Sequence, residues 1–248
     1  MNPEVLSAQA VVGALKGGYW RVSVIEETPS TQTLIRESKP TAGDVITAEY
    51  QSAGRGRLDR TFEAKKYSAL LFSCYMEPEI QLTNFGKIPL LAGLSVANAI
   101  NKLTNSSSFK CKWPNDILFN NKKVAGLLCE TLDRGVLIGI GINVTTSLEE
   151  LPVSHATSIA LATGQNLNRN ELLAEILSEL DLNINGDKDL REYRKICQTI
   201  GLEISAELPT GEVVEDVADE VAESGALILR SGLEITVGDL VHLTSKLQ

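Results

Sequence analysis

Four short strand patterns follow one another between residues 109 and 144, and this run constrains the fold more than any other feature. The patterns cover residues 109–113, 116–119, 124–130 and 136–144. Some of the turns between them are very short, namely Asn120-Asn121 and Asp133-Arg134-Gly135. Tight turns join antiparallel neighbours, whereas parallel strands need a crossover of a dozen or more residues. We therefore predict an antiparallel sheet for this part of the chain.

The rest of the first 198 residues mixes strand and helix patterns. Strands are predicted at residues 20–26, 44–48 and 67–76, and helices at 88–103, 170–182 and 188–197. A short helix through Glu37 begins at Ser30 or Thr31, either of which can cap the first turn and leave its N–H groups aimed at a ligand. Together these elements predict an α+β fold with a mixed, largely antiparallel sheet and flanking helices.

Residues 202–243 contain five further strand patterns. The turns between them fall at Pro209-Thr210-Gly211, Ser224-Gly225, Ser231-Gly232 and Gly238-Asp239. Short strands broken by regular turn signals predict a small β-barrel. We therefore divide the chain into a main domain over residues 1–198 and a small C-terminal domain over residues 199–248.

A glycine-rich turn with three arginines follows the predicted strand at 44–48. Arg55, Arg57 and Arg60 stand close together in a 248-residue protein whose formal net charge is -9. Guanidinium groups this close repel one another unless an anion lies among them, and glycines let backbone N–H groups approach that anion. A phosphate-containing small molecule is the favoured ligand, and a solvated basic turn is the alternative. The sequence has neither the third glycine of a dinucleotide fingerprint nor a GK[ST] phosphate loop.

Charge and composition exclude several classes of function. Residues 55–123 hold eleven Lys/Arg against five Asp/Glu, a net of +6, and residues 197–248 hold two against ten, a net of −8. A single basic region in a chain of pI near 4.9 argues against nucleic-acid binding, which needs a broad basic face. No apolar run approaches the ~20 residues of a membrane span and no secretion signal opens the chain, so we expect a cytoplasmic protein.

The four cysteines and two histidines give no sign of metal or nucleophilic chemistry. The cysteines lack metal-type spacing and are expected to be reduced, buried and inert. His155 and His242 are interpreted as ordinary residues, not as a zinc site or part of a Ser-His triad. The chemistry therefore falls to arginine, lysine, amide groups and a bound cation.

Four polar motifs occur in a fixed order along the chain. They are YQSAGRGR at 50–57, KWPND at 112–116, KKVAG at 122–126 and GIGIN at 139–143, with Pro29-Ser30-Thr31-Gln32 upstream. In this order they resemble the biotin protein ligases, over roughly residues 20–248. The resemblance implies a class II synthetase-like biotin/lipoate ligase core and an SH3-like C-terminal barrel. Lipoate protein ligases share the fold, but their RRxSGGG stretch is not found in this sequence.

The resemblance also implies a two-step reaction that uses ATP and Mg²⁺. Biotin is activated as biotinyl-5'-AMP with release of pyrophosphate, and is then transferred to a lysine of a biotin carboxyl carrier domain. Attack of a carboxylate on a phosphate brings anions together, so the site must supply positive charge and alignment. The predicted catalytic residues are Arg55, Arg57, Lys123 and Asp116, the last also as the Mg²⁺ contact.

The same resemblance implies two sets of binding residues, one for biotin and one for ATP. The biotin set includes hydroxyl and amide groups, which suit a ureido ring with two N–H donors and one carbonyl. The biotin set is Ser30, Thr31, Gln32, Gln51, Gly54, Arg55, Gly56, Arg57, Lys123 and Gly126. The ATP set is Arg57, Arg60, Phe62, Lys112, Asn115, Asp116, Lys123 and Asn143.

The chain departs from the family pattern at two of these positions. Gln32 stands where the family has Asn, and Phe62 stands where Trp is common, so Phe62 either stacks on adenine or packs in the core. Lys112 is either structural or faces the substrate. Only 29 residues precede Ser30, too few for the DNA-binding domain that some members carry. We expect a monomer or weak homodimer.

Two alternatives to a biotin ligase remain. One is a lipoate or octanoate ligase with the same core, which would need an apolar channel in place of the polar groups around Thr31. The other is a non-catalytic biotin-sensing protein, which would have no need of Arg57, Lys123 and Asp116.

Overall fold

The structure is a computed structural model that describes residues 4–57, 60–79, 82–186, 189–208, 210–236 and 239–243. The helices are α1 (Ala8–Ala14), α2 (Thr31–Glu37), α3 (Ile88–Thr104), α4 (Ile159–Thr163), α5 (Arg169–Leu180) and α6 (Arg191–Ile196). The strands are β1 (Arg21–Thr28), β2 (Asp44–Gln51), β3 (Ala69–Met76), β4 (Phe109–Lys112), β5 (Asp116–Phe119), β6 (Lys122–Leu132), β7 (Gly135–Asn143), β8 (Glu203–Glu207), β9 (Val213–Val221), β10 (Leu227–Leu229), β11 (Glu234–Ile235) and β12 (Asp239–His242).

Seven strands form the main sheet, in the order β1-β2-β3-β7-β6-β5-β4. β1 and β2 are parallel, because α2 lies in the connection between them, and every other neighbouring pair is antiparallel. The prediction of a mixed, largely antiparallel sheet is confirmed. The long β6-β7 hairpin pairs Gly126 with Gly141, so the KKVAG and GIGIN motifs lie side by side in the sheet.

Helix α3 packs against β4, β5 and β6, and α5 packs against α3. α3 has Pro89 in its first turn, ends at Asn105 in the left-handed conformation and buries most of its residues. The helix predicted at 170–182 is α5, which passes into a π-helical turn over Asp181–Asn185. The helix predicted at 188–197 is α6 (Arg191–Ile196), and Lys188 lies outside the described residues.

A buried ion pair fastens the beginning of the chain to the main domain. Arg169 Nη1 lies 2.5 Å from Glu49 Oε2, and the two side chains are only 5% and 2% exposed. Glu49 also accepts from the Leu6 N–H at 2.6 Å, and Arg169 donates to the Glu4 carbonyl at 2.6 Å. A buried charge pair is tolerated when such further hydrogen bonds satisfy its remaining atoms.

Strands β8 to β12 form the second sheet, with all neighbouring strands antiparallel in the order β11-β10-β9-β8-β12. The five predicted strands are therefore present, but they form an open sheet, and the described residues show no closed barrel. The sheet packs on the main domain at Gly225, whose carbonyl accepts from Trp113 Nε1 at 3.0 Å. Gly225 has φ +92 and a Cβ there would lie 2.3 Å from the Gly86 carbonyl oxygen, so the contact requires glycine.

Two smaller predictions concern the cysteines and the membrane. All four cysteines are free, and Cys74, Cys111 and Cys197 are buried, whereas Cys129 is only half-buried. Within the described ranges, the helices are too short or too polar to cross a lipid bilayer.

Candidate active site

A cavity of about 710 Å³ opens over the centre of the main sheet. Its walls come from α2, β3, β5, β6 and β7, from the arginine-rich turn, and from strand β12 of the C-terminal sheet. The sequence motifs that lie far apart along the chain therefore meet in one place. Among the predicted site residues, Gly54 and Asn143 do not line this cavity, and the others do.

One end of the cavity is lined by neutral hydrogen-bonding side chains. Gln51 Oε1 accepts from the Thr31 N–H at 2.7 Å and from Thr31 Oγ1 at 2.9 Å. The Thr31 hydroxyl also lies 2.9 Å from the hydroxyl of Ser73, which is fully buried in β3. Ser30 caps α2, as predicted, with its hydroxyl accepting from the Thr33 N–H. The hydroxyls and amides are thus held in a mutually bonded set.

Gln32 completes this polar end of the cavity. It is 3% exposed, and its Nε2 donates to Glu130 Oε2 at 3.2 Å and to the Leu128 carbonyl at 3.4 Å. Its Oε1 is buried and has no hydrogen-bond partner within the described protein. Gly139 makes room for it, because a Cβ at Gly139 would lie 2.5 Å from Oε1. An orphaned buried acceptor costs about 1–3 kcal/mol unless a ligand supplies a donor.

The other end of the cavity carries cationic side chains with partners already in place. Lys123 Nζ lies 2.7 Å from Asp116 Oδ1, as an ion pair without hydrogen-bond alignment, and the two side chains are 33% and 20% exposed. The glycine at position 126 leaves room for this ion pair, because a Cβ there would lie only 3.1 Å from Lys123 Nζ. The Lys123 N–H donates to the His155 carbonyl at 2.8 Å, which fixes the backbone.

The three arginines of the turn do not act as one cluster. Arg57 Nη1 donates to Asn115 Oδ1 at 3.0 Å, and Asn115 is held in turn by its hydrogen bond to the Leu127 carbonyl at 3.0 Å. Arg55 points to the polar end, where its Nη2 lies 2.9 Å from Glu130 Oε1. All three arginines line the cavity, but Arg55 is held beside a carboxylate away from Arg57.

The two sides of the arginine-rich turn, residues 54–57 and 60–62, are hydrogen-bonded to each other. The Phe62 N–H donates to the Gly54 carbonyl at 3.0 Å, and the Gly56 N–H donates to the Arg60 carbonyl at 2.7 Å. A Cβ at Gly54 would lie 2.3 Å from the Phe62 carbonyl oxygen, so this crossing requires a glycine. The half-buried Phe62 ring lies over Gly141 of β7 and lines the cavity. Its position is compatible with either of the two roles predicted for it.

Asn143 and Lys112 differ in how they meet the cavity. Asn143 is buried and its Nδ2 donates to the Thr157 carbonyl at 3.1 Å, so it braces the chain beside Lys123. Lys112 lines the cavity near His242. His242 Nε2 lies 3.1 Å from Thr199 Oγ1, which accepts from the Trp113 N–H at 3.0 Å. Burial, with a further contribution from the Lys112 charge, lowers the pKa of His242 to about 4.

Some residues of the cavity were not expected from the sequence. Ser73 lies in a strand that looks wholly apolar, and Leu240, Val241 and His242 come from the second sheet. Glu130, which is bonded to the cavity residue Arg55, belongs to none of the motifs. The site residues that the sequence did identify belong to glycine-rich or polar motifs. A single buried serine and residues brought in by packing of the second sheet form no such motif in the sequence.

The metal prediction depends on one carboxylate. No group of three or more His, Cys, Asp or Glu side chains with metal-binding geometry occurs in the described part of the chain. Asp116 lines the cavity at its cationic end and offers one hard oxygen ligand. That donor set fits a Mg²⁺ ion that keeps several waters and is held mainly by substrate phosphates.

Neutral groups at one end and cationic groups at the other define a site for a small polar molecule that is joined to, or reacts with, a phosphate. Comparison with known proteins agrees with this class. The chain belongs to the biotin/lipoate A/B protein ligase family, whose model matches residues 23–147.

The relatives extend the likeness beyond that region. The chain is 31% identical to a biotin–[acetyl-CoA-carboxylase] ligase of Mycobacterium tuberculosis, over 94% of this chain and 92% of the relative. It is 33% identical to the bifunctional ligase/repressor BirA of Bacillus spizizenii over 62% of this chain, but covers only 50% of that protein. Among solved structures, it resembles a biotin protein ligase from Aquifex aeolicus in complex with biotin and ATP, with TM-score 0.78, 29% identity and coverage of 89% and 98%.

Proposed function

We propose that this protein is an ATP-dependent biotin protein ligase. It activates biotin as biotinyl-5'-AMP and transfers the biotinyl group to a lysine of a biotin carboxyl carrier domain. The observation that carries the proposal is the division of one cavity into a neutral polar end around Thr31, Gln32 and Gln51 and a cationic end around Arg57 and Lys123. Each end matches one part of biotinyl-5'-AMP.

The neutral end holds the ureido ring. Ser30, Thr31, Gln32 and Gln51 present hydroxyl and amide groups that can pair with two N–H donors and one carbonyl. Gly126, at the middle of the cavity, leaves space for the rest of the ligand beside Lys123. Gly54 and Gly56 act by shaping the arginine-rich turn, because neither has a side chain to offer.

The cationic end aligns the reacting groups. A biotin carboxylate oxygen attacks the α-phosphorus, the bond from that phosphorus to the bridging oxygen breaks, and the electron pair leaves with pyrophosphate. Arg57 and Lys123 neutralise the charge that develops, since both line the cavity there. Arg55 also lines the cavity and, while held by Glu130, adds positive charge to the site. Asp116 would hold Mg²⁺, which supplies further neutralisation of the phosphates.

The nucleotide lies along the remaining wall. Arg60, Phe62 and Lys112 face it, with the Phe62 ring available for stacking on adenine. Asn115 orients Arg57, and Asn143 acts on Lys123 through the Thr157 segment. In the second step the neutral lysine amine of the carrier attacks the acyl carbon, and AMP leaves as the carbon–oxygen bond breaks.

Several finer points belong to the same proposal. The C-terminal sheet is the SH3-like cap of the family, and the protein acts in the cytoplasm as a monomer or weak homodimer without nucleic-acid partners. Support for the last point is the formal net charge of -9.

The test is biotin-dependent exchange of labelled pyrophosphate into ATP, with lipoate and octanoate as matched acids. We expect exchange with biotin and Mg²⁺ and none with the other two acids. Equal exchange with octanoate would indicate the lipoate or octanoate ligase. Tight binding of biotin without any exchange would indicate the non-catalytic sensor.

A further inference from the structure

Glu130, near the end of β6, is the centre of a cluster at the neutral end of the cavity. Its Oε2 lies 3.0 Å from Arg36 Nη2 of α2, and its Oε1 lies 2.9 Å from Arg55 Nη2 of the arginine-rich turn. Arg55 Nη1 also reaches Oε2 at 3.3 Å, and Gln32 Nε2 donates to Oε2 at 3.2 Å. One carboxylate thus joins three separate segments of the site.

The Glu130 carboxylate is ionised at neutral pH. Burial opposes its charge, but hydrogen bonds from Arg36, Arg55 and Gln32 outweigh burial, so the pKa of Glu130 is lowered from its ordinary value. With both arginines in contact, the carboxylate is an acceptor only and its position is fixed from two sides.

This acceptor determines which way the Gln32 amide faces. The Gln32 nitrogen is directed at two acceptors, Glu130 Oε2 and the Leu128 carbonyl. Turning the amide over would place its oxygen against both, which is repulsive. The Gln32 oxygen therefore lies on the other side, over Gly139, where it is buried and has no partner within the described protein. Gln32 and Gly139 both line the cavity, which places this buried, unpartnered oxygen beside the space that a ligand would occupy.

We infer that Glu130 is a positioning residue for the cyclic urea of the ligand, acting through Gln32. It fixes the Gln32 carbonyl oxygen as the acceptor of one ureido N–H. The inference rests on the proposed biotin ligase function and adds a residue outside all of the sequence motifs. It also gives a reason for glutamine at position 32, since a side chain shorter by one methylene would reach Glu130 less well.

The test is a double-mutant cycle measured by calorimetric titration with biotin alone. The four proteins are the wild type, Glu130→Met, Gln32→Ala and the double variant. Glu130→Met keeps the side-chain length and removes the acceptor. We expect each single variant to bind biotin on the order of tenfold more weakly, which is the loss of about one net hydrogen bond. In the Gln32→Ala background, Glu130→Met should weaken binding by less than about twofold.

The matched control is Glu77→Gln, because Glu77 forms an ion pair with Arg134 at 2.5 Å and does not line the cavity. It should leave biotin affinity unchanged. The inference is wrong if Glu130→Met binds biotin within twofold of wild type, or if its full loss persists in the Gln32→Ala background. Additive losses would mean that Glu130 supports the fold and not the Gln32 amide.

Failure of the ligase proposal and failure of the inference on Glu130 would give different results. A wild-type protein that binds no biotin would overturn the ligase proposal and this inference together, whereas wild-type binding with an unaffected Glu130→Met variant would overturn this inference alone. Should Glu130→Met fail to fold, the same cycle is measured with Glu130→Gln, which keeps an acceptor but no longer fixes the polarity of the Gln32 amide. We then expect a loss of about threefold that again disappears without Gln32.

Discussion

Replacing Lys123 by Gln tests the proposed chemistry at its cationic centre. Lys123 lines the cavity, is 33% exposed and pairs with Asp116 at 2.7 Å, whereas its neighbour Lys122 is exposed and does not line the cavity. Gln keeps much of the length and some hydrogen bonding but removes the charge. Lys122→Gln makes the same chemical change one residue away and serves as the control.

The expected size of the effect follows from these surroundings. Loss of one preorganised group that stabilises developing charge costs about 2.7–4 kcal/mol, or a factor of 10²–10³ in the rate. Lys123→Gln also leaves the Asp116 carboxylate, which is 20% exposed, without its cationic partner near the phosphates. Lys122 is solvated, and a surface charge rarely contributes more than ~1 kcal/mol, so its replacement should change the rate by no more than about threefold.

The assay is single-turnover formation of biotinyl-5'-AMP with saturating biotin and ATP. We expect adenylation by Lys123→Gln to be slower by 10²–10³-fold and by Lys122→Gln to be close to wild type. Thermal unfolding of both variants checks that the fold is intact. A Lys123→Gln rate within threefold of wild type, or equal losses in the two variants, would refute the assignment of Lys123.

Two further predictions concern stability. Arg169→Met leaves the buried Glu49 carboxylate unpaired and should lower the free energy of unfolding by about 3–5 kcal/mol in urea titrations, against less than ~1 kcal/mol for Lys102→Met in the exposed pair with Glu175. The pKa of His242 is about 4 in the fold and near 6.5 when unfolded, so the unfolded chain binds the extra proton and stability should fall as pH drops from 6.5 to 4. In His242→Gln, the free energy of unfolding should fall less between pH 6.5 and pH 4. A pH dependence identical to that of the wild type would contradict this prediction.

The sequence indicated the strands and helices well where the signal is local. The turns at Asn120-Asn121 and at Asp133 mark the ends of β5 and β6, and the structure has these asparagines and Asp133 at positive φ. Ser30 caps α2 because its hydroxyl accepts from the N–H of Thr33, only three residues further along the chain. Such features depend on neighbours along the chain, which a single sequence displays.

The rest of the site depends on contacts between distant segments. Glu130 lies 75 residues from Arg55 and 98 from Gln32, and no local pattern links them. β12 reaches the cavity because the second sheet packs on the rest of the chain, for example at Gly225 against Gly86 and Trp113. The predicted C-terminal barrel stays a prediction for the same reason, since closure of the open sheet in the described residues depends on distant strand pairing.

The cations of the site already have partners in the protein, and this bears on how it can bind anions. Lys123 is paired with Asp116 and Arg55 with Glu130, while Arg57 is bonded to the neutral Asn115. Pairing lowers the repulsion among positive groups, but an arriving phosphate or carboxylate must then exchange with Asp116 at Lys123 and with Glu130 at Arg55. Lys123 would therefore be released to contact the phosphates if Asp116 held a Mg²⁺ ion.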